Sequence, residues 1–161
     1  MQPVSPRVVE LLNDALTFEL TVTNTYFLHA RMLDNWGLSK LGKVFYELSI
    51  DEMKDADSLI NRILMFDGHP NVQKLGSITI GEGPEEMLKL AFESEKAAVA
   101  QFNAGAKECH ELGDHGTASV FEEMVRDEET HADWFESQLD AITQVGLQQY
   151  LAQQLDPGSA P

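Results

Sequence analysis

Two acidic heptapeptides of similar sequence stand far apart in the chain, DEMKDAD at 51–57 and DEETHAD at 127–133. Four of the seven letters agree, and the second copy has His131 where the first has Asp55. Glu52 and Glu128 precede these two residues by three positions, so on a helix each pair points to one face. A ligand set of several carboxylates and one imidazole suits hard or borderline ions, with iron or manganese ahead of copper. The repeated motif therefore indicates a metal-binding site.

The repeat extends beyond the two heptapeptides. Glu19 precedes Glu52 by 33 residues, and Glu95 precedes Glu128 by the same interval. Each half of the chain thus places a lone glutamate on one helix and a pair spaced i, i+3 on the next. One glutamate from each of two helices and a Glu-x-x-His pair from each of the other two is the ligand pattern of di-iron helix bundles. Five of its six positions carry the residue type that the pattern requires. The sixth carries Asp55 where the pattern has a histidine.

The neighbours of these acids predict that they face the inside of the protein. Glu19 lies between Phe18 and Leu20, and apolar residues follow the other acids at helical spacing. Any one of the acids taken alone is more typical of a solvated helix surface, and His131 alone is more typical of a structural histidine. Five converging buried carboxylates, however, would raise one another's pKa values, and bound cations remove this conflict.

Four long helical patterns position these residues. They run from about Pro6 to Asn35, from Ser39 to about Phe66, from Pro84 to about Gly113 and from Asp114 to about Val145, with Ser39 and Asp114 as expected caps. Residues 68–83 predict a long crossover, because they are rich in glycine and proline. The pattern predicts an all-α, ferritin-like four-helix bundle with one long crossover. We expect one domain over 1–161, a short fifth helix in LQQYLAQQL, and a disordered tail over about 156–161.

The composition excludes several classes of function. A formal net charge of −16 argues against nucleic-acid binding, which needs basic patches. The single cysteine, Cys109, excludes an intrachain disulfide and a CxxC metal knuckle. No apolar run approaches the length of a membrane span, and MQPVSPRVVELL lacks the pattern of a signal peptide. We therefore expect a cytoplasmic protein without a membrane partner.

The chain resembles bacterioferritin, the haem-containing branch of the ferritins, from about Val8 to Gln154. The resemblance is carried by NTYFLHARMLDNWGL, SIDEMKDAD, RILMFDGHPNVQKLG, IGEGPEEML and RDEETHADWFESQLD. It implies a homo-oligomeric cage of 24 subunits built from twofold dimers, which oxidises Fe(II) with peroxide or dioxygen and stores a ferric mineral. The implied di-iron ligands are Glu19, Glu52, Glu95, Glu128 and His131, with Asp55 in place of the family's second histidine. A reductase such as a ferredoxin is an implied partner.

The resemblance also implies haem b at the twofold axis, with Met53 of each subunit as an axial ligand. Met53 follows Glu52 directly and is therefore turned about 100° away from it around the helix. A methionine thioether is an accepted haem ligand, although an apolar interface contact is the alternative for such a methionine. The residues expected to line the pocket could equally form plain dimer packing; they are Leu20, Asn24, Phe27, Tyr46 and Ile50.

The departure at Asp55 leaves two interpretations. Aspartate Oδ and histidine Nδ1 lie the same number of bonds from Cβ, so Asp55 can reach a metal that an Nδ1 atom would reach. The alternative is a ferroxidase-impaired, haem-binding structural subunit of a cage that also contains a second subunit type.

Two other families of di-iron or iron-storing proteins fit the sequence less well. A rubrerythrin needs a cysteine-rich module that this chain lacks, and the starvation-type miniature ferritins place their iron between subunits.

Three further groups of residues give weaker signals. Glu47 and Asp51 stand one turn apart, near positions where the family binds iron on the inner wall, and a solvated acidic face explains them equally well. Tyr26 and Trp36 resemble aromatic residues that the family places near the centre, although packing accounts for them too. Cys109, His110 and His115 near the end of the third helix are interpreted as structural, or as an incidental metal contact.

Overall fold

The computed structural model describes residues 1–156, which form five α-helices. These are α1 (Pro6–Asn35), α2 (Ser39–Met65), α3 (Pro84–Leu112), α4 (His115–Val145) and α5 (Leu147–Gln154). The described residues contain no strand, and no helix among them is long and apolar enough to span a bilayer. The predicted ferritin-like bundle with a short fifth helix is confirmed. Of the tail predicted to be disordered, residues 157–161 lie outside the described part of the chain.

Most helix ends follow from local chemistry. The Ser5 hydroxyl accepts the N–H of Arg7 at the start of α1, and the Asp114 carboxylate accepts the N–H of Thr117 at the start of α4. The prediction that Ser39 caps α2 is wrong. Leu38 occupies that N-cap position, and no side-chain hydrogen bond caps this end. The physical reason is packing, because Leu38 is buried in the core and its N–H donates to the Leu33 carbonyl, which places Ser39 one residue inside the helix.

The helices pack as two hairpins joined by the crossover. Residues 36–38 connect α1 to α2, and a two-residue turn connects α3 to α4, so each pair is antiparallel and packs along its length. The crossover over 66–83 carries the chain from one hairpin to the other, and α5 packs against α4 and α2. Helices of 27 to 31 residues are about 40 to 46 Å long at 1.5 Å per residue. They are long enough to bury a functional layer at mid-height.

Side chains of α1 hold the crossover against the bundle. Thr21 Oγ1 accepts the N–H of Gly76 at 2.8 Å, and His29 Nε2 accepts the N–H of Gly81 at 3.1 Å. Burial lowers the pKa of His29 to about 4, which keeps the ring neutral and leaves Nε2 free to accept. A Cβ on Gly81 would lie 2.8 Å from the backbone nitrogen of Met87, so only glycine fits at this close approach.

The core consists of two apolar clusters, one toward each end of the bundle. One contains Leu16, Leu59, Phe102 and Phe121, and the other contains Tyr26, Phe45, Met87 and Phe135 as its larger members. The four buried glutamates interrupt the apolar sequence of each helix between these clusters. The acids therefore form a polar layer with hydrophobic packing above and below it.

Candidate metal centre

Each long helix contributes one buried glutamate to this layer. Glu19 is fully buried, and Glu52, Glu95 and Glu128 are each only 1% exposed. They lie at helical spacing from core residues on the same helix, such as Leu16 and Val22 for Glu19, and Ala91 and Ala98 for Glu95. The inward direction predicted from the sequence is thus the direction found.

The six residues predicted as metal ligands come together as two overlapping groups. One consists of Glu52, Glu95, Glu128 and His131, and the other of Glu19, Glu52, Asp55 and Glu128. Within each group one ligand atom per residue lies within 4.8 Å of all the others. Glu52 and Glu128 belong to both groups, so their two oxygens can bridge two adjacent cations. The sequence did not indicate which acids would hold these shared positions.

The acids have few other partners. Both carboxylate oxygens of Glu19 and of Glu52, and one oxygen of Glu128, make no hydrogen bond of good geometry among the described residues, although His131 Nδ1 lies 3.3 Å from Glu52 Oε1. A buried carboxylate without partners is costly unless it is protonated or coordinates a cation. A cluster of such oxygens at mid-bundle therefore fits cation binding better than structural support.

Burial and mutual repulsion raise the pKa values of these acids. Burial is the largest cause for Glu19 and Glu95, whose pKa values stand well above the usual range, and the charge of Glu52 adds to both. The pKa of Glu52 is raised by burial. Burial followed by the charges of Glu52 and Glu128 raises the pKa of Asp55 to about 7. Protons therefore occupy part of the cluster near neutral pH, and cation binding must release them.

Among the residues that the structure describes, His131 is the one basic group within the layer. Its Nδ1 atom lies 3.3 Å from Glu52 Oε1 and 3.4 Å from Glu128 Oε2. Burial lowers the pKa of this imidazole, but its interactions with Glu128 and Glu52 outweigh burial and raise the pKa to about 10. The imidazolium thus takes the place of a cation in the metal-free protein, and it must lose its proton before Nδ1 can act as a ligand.

An aromatic residue contacts the centre from the side of α1. The buried Tyr26 hydroxyl donates a hydrogen bond to Glu95, and its ring packs edge-on against Phe45. Trp36, which was expected near the centre with it, is 40% exposed at the C-cap of α1. Of this pair, only Tyr26 has a hydrogen bond to one of the acids in the part of the chain that the structure describes.

The centre opens to the surface between α2 and α4. An opening of about 250 Å³ is lined by Asp51, Lys54, Asp55, Asp127 and His131. Asp55 and His131, the two partly exposed members of the ligand groups, therefore stand between the buried glutamates and solvent. Asp127 is not among the site residues predicted from the sequence. Its signal was available, because it occupies the position of Asp51 in the twin heptapeptide.

The acids beside this opening are engaged in surface ion pairs. Asp51 Oδ1 lies 2.7 Å from Lys54 Nζ, and Glu47 Oε1 lies 3.7 Å from Lys43 Nζ. Both carboxylates are about half exposed or more, and such pairs add little stability. The predicted alternatives for Glu47 and Asp51, inner-wall iron sites or a solvated acidic face, therefore both remain compatible with their positions.

Met53 lies on a different face, within a strip of exposed apolar side chains. Met53 is 47% exposed, and the exposed Phe27, Tyr46 and Ile50 lie on the same two helices. Arg31 stacks over the rings of Phe27 and Tyr46. Asn24 is also exposed and Leu20 is half-buried. Apolar residues grouped in this way on α1 and α2 are typical of a surface that a partner covers.

The fold agrees with the comparisons with known proteins. Residues 9–145 match the ferritin-like domain family. The chain is 42% identical to the bacterioferritin of Brucella melitensis biotype 1 over 145 residues, which is 90% of each chain. It is 42% identical to the bacterioferritin of Rhodobacter capsulatus over 88% of each chain. It is 40% identical to that of Mycobacterium avium over 92% of this chain and 93% of the relative.

A match over most of the chain defines the class as ferritin-like. Identities of 40% or more over about nine-tenths of both sequences identify the family within that class. The chain belongs to the bacterioferritin family. This membership supports iron storage as its general function.

Proposed function

We propose that this chain oxidises Fe(II) to Fe(III) at the centre within each subunit and stores the ferric product inside a cage of 24 identical subunits. The observation that carries the proposal is the pair of overlapping ligand groups that share Glu52 and Glu128 in a dry layer. The proposed reaction takes one electron from each of two ferrous ions. It therefore requires two adjacent cation positions, which shared carboxylates can provide.

Each residue has a distinct role in the proposed reaction. Glu19 and Asp55 hold one Fe(II) substrate ion, Glu95 and His131 hold the other, and Glu52 and Glu128 bridge them. Binding releases the protons held by the raised-pKa acids and by His131. The two ions together give two electrons to peroxide or dioxygen. Tyr26 orients Glu95 through its hydrogen bond. The opening beside Asp55 gives a path for iron.

Asp55 changes the charge of the centre relative to the family pattern. A fifth carboxylate in place of a neutral imidazole adds one negative charge, which favours Fe(III) over Fe(II) and slows release of the product.

A second candidate function follows from the same residue. Asp55 is the most exposed acid of the two groups, and its pKa of about 7 leaves it partly protonated at neutral pH. A ferroxidase-impaired, haem-binding subunit of a mixed cage would have such a weakened ligand.

The strip around Met53 fits haem b at a twofold dimer interface. The observation that supports it is an exposed thioether set among exposed apolar and aromatic side chains, which would bury a flat apolar macrocycle. One subunit offers one thioether at this point, so Met53 of this chain and Met53 of the partner subunit would together hold the haem. Haem held there would supply one-electron transfer to the stored iron.

The remaining partner assignments follow from family membership. We propose a homo-oligomeric cage assembled from twofold dimers, with a second bacterioferritin subunit type as a further component if the centre is impaired. A reductase such as a ferredoxin would deliver electrons for iron release. The strongly negative charge gives no reason to propose a nucleic-acid partner. The cytoplasmic location expected from the sequence stays a prediction.

Crystals soaked anaerobically in ferrous iron test the proposed centre directly. We expect two anomalous peaks at the iron edge, one between Glu19 and Asp55 and one between Glu95 and His131, each also in contact with Glu52 and Glu128. Full occupancy beside His131 with no iron beside Asp55 would contradict the two-iron reaction and favour the impaired subunit. A soak that leaves both positions empty would also contradict the two-iron reaction and favour the impaired, haem-binding subunit.

A methionine substitution tests the haem assignment. We expect Met53→Leu to lose the Soret band of the haem-reconstituted protein, because leucine fills similar volume without a sulfur ligand. The matched control is Met65→Leu, which removes a thioether of comparable exposure on the same helix and should keep the band. Both variants should elute as the native assembly does. A native protein that stays colourless after reconstitution, or a Met53→Leu variant with an unchanged band, would overturn the assignment.

A further inference from the structure

The turn between α3 and α4 brings two histidines together at the surface. His110 lies in the last turn of α3 and His115 is the first residue of α4. Their Nδ1 atoms are 3.0 Å apart, and both side chains are exposed. Gly113 makes this approach possible, because its left-handed conformation (φ of 81°) reverses the chain within two residues. This pair is separate from the buried centre and takes no part in the proposed oxidation.

A carboxylate fixes the orientation of one of the two rings. Glu122 Oε1, two turns into α4, lies 2.7 Å from His110 Nε2. The Nε2–H therefore donates to the carboxylate, and the neutral ring keeps a lone pair on Nδ1 that faces His115. Metal-binding histidines commonly donate their other ring N–H to a carboxylate in this way, which sets the tautomer and makes the ligand nitrogen more basic.

We propose that His110 and His115 bind a borderline divalent cation of the zinc class through their Nδ1 atoms, with Glu122 as the positioning residue and water completing the coordination. Two Zn–N bonds of about 2.0 to 2.1 Å at a tetrahedral angle separate the nitrogens by roughly 3.3 Å. The observed separation is a few tenths of an ångström shorter, so small rotations of two exposed rings suffice.

The ligand chemistry separates this position from the centre of the bundle. Two imidazole nitrogens favour zinc, copper or nickel, whereas a carboxylate-rich set favours harder ions such as iron and manganese. The strongly negative chain attracts any divalent cation to its surface. A cation held here also links the end of α3 to the start of α4, and it stabilises the folded turn by an amount that grows with the logarithm of the cation concentration once this exceeds the dissociation constant.

Zinc soaks with anomalous diffraction test the proposal. In native crystals soaked in roughly 1 mM zinc, which suits the micromolar to millimolar affinity of a partial site, we expect a zinc-edge peak about 2.1 Å from both Nδ1 atoms. The peak should vanish in His115→Gln and persist in His69→Gln, a control at an exposed histidine of the crossover. Zinc in the bundle centre should be unchanged in both variants and serves as an internal reference.

A solution measurement separates a positioning role for Glu122 from a merely structural one. Isothermal titration with zinc should show about one fewer bound ion per chain for His115→Gln than for the native protein. Glu122→Gln should keep that ion but weaken its affinity by about tenfold or more. Native crystals without a peak at the pair, or a peak that survives in His115→Gln, would overturn the proposal. Failure of iron oxidation would leave it unaffected, because it shares no ligand with the centre.

Discussion

Glu19→Gln is expected to slow the rapid phase of Fe(II) oxidation by about 100-fold or more and, at the same time, to stabilise the metal-free protein. The substitution removes an anionic ligand, and loss of a direct ligand should cost at least as much as the 10- to 100-fold typical of outer-shell partners. It also replaces a fully buried acid whose two oxygens have no hydrogen-bond partner among the described residues. The metal-free variant should unfold at a higher temperature near neutral pH, because the amide is neutral without taking up a proton, whereas the buried acid must hold one there.

The pH dependence of this stabilisation has a definite sign. Burial, followed by the charge of Glu52, raises the folded-state pKa of Glu19 well above its usual value of 4.5. The folded protein therefore holds this proton at pH values where the unfolded chain has released it, so the native protein loses stability as the pH rises above about 4.5. The advantage of Glu19→Gln over the native protein should accordingly be larger at pH 8 than at pH 5.

Stopped-flow oxidation and thermal unfolding of the metal-free protein measure the two effects. Glu129→Gln is the control, because it neutralises an exposed glutamate adjacent to one of the ligands. It should leave the oxidation rate and the midpoint of unfolding nearly unchanged. A Glu19→Gln variant that oxidises iron at the native rate would exclude Glu19 from the ligand set. A variant that loses both activity and stability would indicate a structural role instead.

Substitutions at Asp55 should distinguish an intact centre from an impaired one. If Asp55 is a working ligand, Asp55→Ala should slow the rapid phase of oxidation by about 10- to 100-fold. Asp55→His should stay within about fivefold of the native rate in that phase, because Nδ1 reaches the same point as the carboxylate oxygen. It should also speed later turnovers, since one negative charge fewer holds Fe(III) less firmly.

The matched control for Asp55 stands two residues along the same helix. Asp57 is exposed and accepts a hydrogen bond from Asn61, so Asp57→Ala should leave both phases of oxidation unchanged. Stopped-flow traces of the native protein and the three variants, at equal iron per subunit, make the comparison. A large increase in the rapid phase for Asp55→His would show that the native centre is impaired. The haem-binding structural subunit would then be the better assignment.

The periodicity of the sequence was sufficient to predict the helices and the inward direction of the acids. Pro6, Pro84 and Asp114 mark the helix starts by chemistry that acts within one turn, and Gly113 ends α3 through its own backbone freedom. The prediction failed at Ser39, where a capping preference of about 1 kcal/mol lost to the burial of Leu38 in the core. Local signals decide helix ends only where tertiary packing does not oppose them.

Residue spacing alone was enough to predict which side chains share a helix face, because an interval of three or four residues returns a side chain to nearly the same direction around the helix axis. It therefore determined that Glu19, Glu52, Glu95 and Glu128 turn inward. Three relations became visible only in the folded chain: Glu52 and Glu128 belong to both ligand groups, Asp127 lines the opening, and Glu122 contacts His110. These relations depend on the height and rotation of one helix against another. Packing of the two apolar clusters sets both quantities, and no spacing within a single helix records them.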